Sequence, residues 1–121
     1  YIYPTVEECN DKALDLIERD KYDFMVLYNG NYDYMMHRFG PEGMRALEAL
    51  DKNIEMFSKI YEKIGEYWKK HPTVLAFAPD HGCHKKLMFM GSHGSKKPYD
   101  METIHFYSFI DSTEQCSVLP P

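Results

Sequence analysis

The chain has 121 residues, 44% apolar and 15% aromatic, enough to bury one core but hardly two, so a single compact α/β domain over 1–121 is expected. Its formal charge of -5 argues against nucleic acid as a partner, because neutralising phosphates requires a basic face that the sequence lacks. No apolar stretch is long enough to cross a bilayer and no basic-then-apolar signal opens the chain, so no membrane partner is expected either.

Taken in chain order, residues 1–4 form a short extended lead. Thr5 followed by Glu8 reads as a capping box that opens a helix running to about Asp20. Val6, Cys9, Ala13, Leu14 and Ile17 fall on one stripe of it at helical spacing, which predicts one docked face and one solvated face. The next run, 22–28, is short, mostly apolar and bounded by charge and by Asn29-Gly30-Asn31, which predicts a strand buried on both faces. A loop over 29–41 then carries Asp33 and His37. Pro41 suits the first turn of a long helix whose apolar positions, Met44 through Ile54, Ile60 and Ile64 to Trp68, recur every three or four residues, ending near His71-Pro72. Asp51 reads as a solvated or capping carboxylate. His71 in that last turn suits the negative end of the helix dipole.

The long helix leads into a second apolar run, 73–78, so strand, helix and strand make a right-handed βαβ unit with parallel strands and helices on the sheet faces. Asp80-His81-Gly82 follows immediately. A bare Asp-His-Gly is more often an ordinary turn, but carboxylate and neutral imidazole are also the usual O and N ligands of Zn²⁺ and Mn²⁺. Parallel strands place both Asp/His loops on one edge of the sheet, where ligands bind, so Asp33, His37, Asp80 and His81 are expected at one crevice. Residues 87–90 are too short to assign. A polar loop then presents His93 between glycines, and 101–110 reads as a third strand in which His105 is a packed or edge residue. The tail 117–121, with two prolines, cannot continue a central strand. Cys9, Cys83 and Cys116 are odd in number and irregular in spacing, which fits reduced thiols and favours a cytoplasmic location over a disulfide framework or a Cys-x-x-Cys zinc site.

Asp33-x-x-x-His37 with Phe39-Gly40-Pro41, then Asp80-His81-Gly82, then His93-Gly94 ahead of Met101-Glu102-Thr103-Ile104, together resemble the alkaline phosphatase superfamily. The branch they are most similar to is the type I phosphodiesterase/nucleotide pyrophosphatase group, and the resemblance extends over residues 22–109.

That resemblance implies an alkaline-phosphatase-like α/β fold, here a partial, C-terminal part of a larger catalytic domain. It implies two divalent ions, zinc before manganese, with Asp33, His37 and His93 on one and Asp80 and His81 on the other. Two such ions about 4 Å apart clamp a transferring phosphoryl group, which points to hydrolysis of phosphodiester or pyrophosphate bonds in a small phosphorylated substrate. The family's hydroxyl nucleophile and a further Asp ligand have no match in this sequence, so no catalytic residue is assigned, and the chain alone is expected to be inactive. A sheet lacking strands exposes an edge, so self-association is expected. A phosphomutase of the same superfamily, a non-catalytic metal-binding α/β module and a plain interaction domain with structural histidines remain open. So do the roles of Lys85, Lys86, Lys96 and Lys97, as anion-steering groups or solvated loop residues, and of His84, as a ligand or substrate contact.

Overall fold

A computed structural model describes residues 4–111. In chain order it contains helices α1 (Val6–Arg19), α2 (Asn31–Phe39) and α3 (Met44–Tyr67), strands β1 (Thr73–Phe77), β2 (His84–Lys85) and β3 (Gly91–Ser92), the short helix α4 (Pro98–Met101) and strand β4 (Phe106–Ile110). β1 pairs with β4, and β2 pairs with β3 in a separate two-stranded sheet. No helix among the described residues is long and apolar enough to cross a membrane. The described residues divide into two compact units, one of residues 4–29, 55–76 and 107–111, the other of Gly30–Ile54 and Phe77–Phe106.

The first unit is organised by helix packing. Thr5 caps α1 through its hydroxyl, which accepts the Glu8 N–H at 3.1 Å, and Asp20 ends the helix in the left-handed region at φ 44°. The apolar stripe of α1 delivers Ala13 and Ile17 to a core shared with Met56, Ile60 and Ile64 of α3, and Leu14, Met25, Leu27, Trp68, Leu75 and Ile110 pack around it. Ile17 is wholly buried, and burial of a side chain of that size contributes about 1.5–3 kcal/mol. The Trp68 indole donates to the Ile17 carbonyl at 2.8 Å, joining the end of the long helix to α1. His71 lies beyond the last residue of α3 and contacts the Asp20 carboxylate at 2.9 Å, so its partner is the end of α1 and not the dipole of α3.

The expected strand at 22–28 does not form. This segment is extended without strand pairing; Met25 and Leu27 face the core, while Phe24, Val26 and Tyr28 are 83%, 73% and 70% exposed. An unbroken apolar run reads in sequence as a strand covered on both faces, but here alternate side chains cover the helical core from one side only. The parallel βαβ core expected from that strand is therefore absent among the described residues, and the fold is mixed α/β with two small sheets. The third strand is shorter than expected, because Pro98 opens a helical turn and β4 begins only at Phe106. The expected lead at residues 1–3 and the tail at 117–121 lie outside the described residues.

In the second unit, residues expected to form a loop form α2. Asp33 in its first turn and Arg38 in its last complement the dipole, and the Arg38 guanidinium donates to the Tyr34 hydroxyl at 2.7 Å. Gly40 stops the helix at φ 82°, its N–H donating to the Met36 carbonyl at 2.9 Å; a Cβ at Gly40 would lie 2.6 Å from the Phe89 carbonyl oxygen. Pro41 thus falls in the turn before α3 instead of its first position. β2 and β3 pair antiparallel, His84 opposite Ser92 and Lys85 opposite Gly91. The turn between them holds Met88 and Phe89 at φ 63° and 67°, a strained conformation for bulky side chains.

Candidate metal centre

Three segments of the second unit converge. Helix α2 presents Asp33 and His37, four residues apart and so on one face, the loop after β1 presents His81, and the loop after β3 presents His93. Ligand atoms of Asp33, His81 and His93 lie within 4.8 Å of one another, and among the described residues no other group of His, Cys, Asp and Glu converges in this way. The imidazoles of His81 and His93 stack with centroids 3.9 Å apart, and those of His37 and His93 are tilted at 4.9 Å.

Hydrogen bonds at the far ring nitrogens define what the near nitrogens can do. A carbonyl only accepts, so His37 Nδ1, 3.2 Å from the Gly91 oxygen, carries the proton, as does His81 Nδ1 at 2.9 Å from the Gly82 oxygen. In the neutral ring each Nε2 is then a lone pair. This is how ligating histidines are held in metal sites, the outer partner fixing tautomer and orientation. His37 Nε2 lies 3.5 Å and His93 Nε2 3.3 Å from Asp33 Oδ1, which is buried and has no hydrogen-bond donor. A buried carboxylate oxygen without a donor, faced by the Nε2 lone pair of His37 with His81 and His93 close by, is stabilised by a cation, so Asp33, His37, His81 and His93 suit a divalent ion that takes N and O ligands.

The grouping differs from the one expected. Asp33 and His93 come together as the resemblance implied, but the imidazole completing the tight trio is His81 and not His37, although His37 borders Asp33 directly. Asp80 does not join. Its side chain is 68% exposed, and its Oδ1 lies 3.8 Å from His81 Nε2. Of the flanking lysines, Lys85 is paired with Glu42 and Lys97 lies over the Tyr99 ring.

The structure adds residues that sequence reasoning passed over. Asp100 is buried, and its carboxylate accepts from His84 Nδ1 and from the Ser95 N–H, each at 2.8 Å. Burial alone would raise its pKa, but hydrogen bonds from Ser95 and His84 outweigh that and hold it at about 2. Tyr32, beside Asp33, donates to the Pro41 carbonyl at 3.2 Å and lies 3.5 Å from the Cys83 sulfur; burial, then the Cys83 contact, push its phenol well above the usual range. Neither residue belongs to a motif. Each draws one partner from a segment distant in sequence, Asp100 from His84 and Tyr32 from Cys83, so local spacing alone could not reveal it.

No curated protein and no solved structure matches the chain. A family model described as Metalloenzyme superfamily does match, over residues 4–106, a span that contains α1 to α4, both Asp/His segments and His93. With that match covering most of its length, the chain belongs to the Metalloenzyme superfamily, the alkaline-phosphatase-like group that its motifs resemble.

Proposed function

We propose that the chain supplies the metal-binding side chains of a metal-dependent phosphoesterase, one that hydrolyses phosphodiester or pyrophosphate bonds. The observation that carries this reading is the meeting of Asp33 Oδ1, buried without a donor, with the Nε2 atoms of His37 and His93, next to His81. Asp33, His37 and His93 would hold a first ion, with His81 at the same centre and Asp80 beside it at the exposed rim serving a second. Bound there, a divalent ion supplies Lewis-acid charge to a phosphoryl oxygen. The chain's own part is to present lone pairs: the Gly91 and Gly82 carbonyls keep the Nδ1 protons of His37 and His81 away from the centre, and burial of Asp33 Oδ1 excludes competing donors. No hydroxyl residue of the sequence matches the family's nucleophile, so the proposal assigns metal ligation and not the covalent step.

Zn²⁺ is the first choice, since three imidazoles and a carboxylate suit it better than Mn²⁺. The chain should bind Zn²⁺ in isothermal titration, and His93→Ala should weaken that binding by at least about 10-fold, because loss of a direct ligand costs no less than loss of an outer partner. Zn²⁺ affinity equal in the wild-type and His93→Ala chains would sink the assignment. Asp80→Ala, which alters only the rim, should change the affinity of the first ion far less.

A further inference from the structure

Both loops that deliver the central imidazoles end on one buried carboxylate residue. The backbone carbonyl of Asp100 accepts the Gly82 N–H at 3.0 Å, directly after His81. Its Oδ1 accepts His84 Nδ1, on the far side of the same loop, and its Oδ2 accepts the Ser95 N–H, two residues after His93. The fit at Gly82 is close: a Cβ there would lie 2.1 Å from the Tyr99 carbonyl oxygen and 3.3 Å from the Asp100 Cα. α4 holds Asp100 in turn, since its N–H donates to the Lys97 carbonyl at 3.0 Å and the Glu102 N–H closes the turn on Pro98 at 2.8 Å.

A buried carboxylate is costly unless its lone pairs are satisfied, and here the groups that satisfy it come from the two metal-bearing loops. We propose that Asp100 is a positioning residue: it fastens the loop carrying His81 to the loop carrying His93 and so sets the stacked separation of the two imidazoles that face Asp33. This inference rests on the metal-binding reading for its purpose, but the geometry it asserts is made by the chain's own contacts. Asp100 makes no hydrogen bond to either ring. It acts through Gly82, His84 and Ser95.

The test compares wild-type, Asp100→Asn and Asp100→Glu chains in two readouts. In metal-free protein, the ring-to-ring NOE between His81 and His93 should be present in the wild type and lost in Asp100→Asn, where one oxygen acceptor becomes an amide donor. In titrations with Zn²⁺ alone, Asp100→Asn should bind about 10- to 100-fold more weakly, the usual effect of removing an outer partner, while Asp100→Glu, which restores charge and acceptors, should recover part of the loss. A purely structural role predicts a lower melting temperature with both readouts intact in the folded fraction, and that result overturns the proposal. Should Asp100→Asn fail to fold, His84→Leu removes the Oδ1 contact while leaving an apolar side chain against the Tyr99 ring; a weakened NOE and Zn²⁺ affinity support the proposal, and values equal to wild type overturn it. A wild-type chain that binds no Zn²⁺ overturns the metal-binding reading alone, and the NOE still decides the role of Asp100.

Discussion

The two units of the chain are built from different materials. In the first, Ala13, Ile17, Met56, Ile60 and Ile64 form a continuous apolar core between helices. In the second, the buried apolar residues are only Met36, Ala46 and Ala49, and order comes from hydrogen bonds to carbonyls, a buried carboxylate and glycines pressed against backbone. The first arrangement tolerates exchange of one apolar group for another, because dispersion and burial are not directional. The second is directional, and it is the one that aims imidazoles at a common point. A centre that needs ligand atoms in register is therefore assembled where packing is sparse and polar contacts are specific.

The largest effect should come from the apolar unit. Ile17→Ala removes a wholly buried side chain at the contact between α1 and α3, and should lower stability by about 2–5 kcal/mol in denaturant unfolding. If the two units are held as differently as the structure indicates, the chain that remains folded should bind Zn²⁺ with wild-type affinity. A proportionate fall in affinity would break the distinction.

Gly82→Ala is the converse. The new methyl would sit 2.1 Å from the Tyr99 carbonyl oxygen, and the loop must move to relieve the contact. The expected destabilisation is smaller, about 1–3 kcal/mol, the usual cost of overpacking. Its effect on Zn²⁺ binding should be far larger than that of Ile17→Ala, because the displaced residue adjoins His81. Urea titration and calorimetry on the same two variants read both axes, and parallel losses in the two variants would contradict the comparison.

The same division explains what could be read from the sequence. α1 and α3 were legible because apolar spacing is a local signal, and Thr5 with Glu8 marked the start of α1 from side chains alone. The strand at 22–28 was not, because covering one face or two depends on neighbours that the run itself does not specify. Asp33, His37, His81 and His93 could be singled out by residue type and motif order. A shared crevice for Asp33, His37 and His81 was expected from parallel strands, whereas here α2, the loop after β1 and the β2–β3 hairpin bring them together with His93. The spacing of Asp33 and His37, with Tyr34 and Arg38 alongside at the same interval of four, was the overlooked signal for α2. Asp100 left no signal at all, since an acid in a polar segment is ordinary until His84 and Ser95 fold onto it.

The smallest effect concerns acid. Among the described residues, two carboxylates have a pKa lowered by their surroundings, Asp15 in the first unit and Asp100 in the second. Asp15 is lowered mainly by its hydrogen bond from Lys12, with Arg19 adding to it, and lies in solvent-accessible, half-exposed ion pairs on α1. Asp100 is buried, and the bonds from Ser95 and His84 bring it to about 2 against an unfolded value near 3.9. A lowered carboxyl adds stability above its unfolded pKa and loses it as the pH falls through the folded value, so the Asp100 contribution should be complete above about pH 4 and disappear between pH 4 and pH 2. Salt separates the two. At about 1 M NaCl the Debye length is about 3 Å, so the exposed pairs of Asp15 are screened while the buried bonds of Asp100 are not. Urea unfolding at pH 4 and pH 2 should retain an acid-labile component in high salt, and Asp100→Asn should remove that component while Asp15→Asn leaves it. An acid dependence that salt abolishes in the wild-type chain would place the sensitivity on the exposed ion pairs of α1 and take it away from the loops that hold His81 and His93.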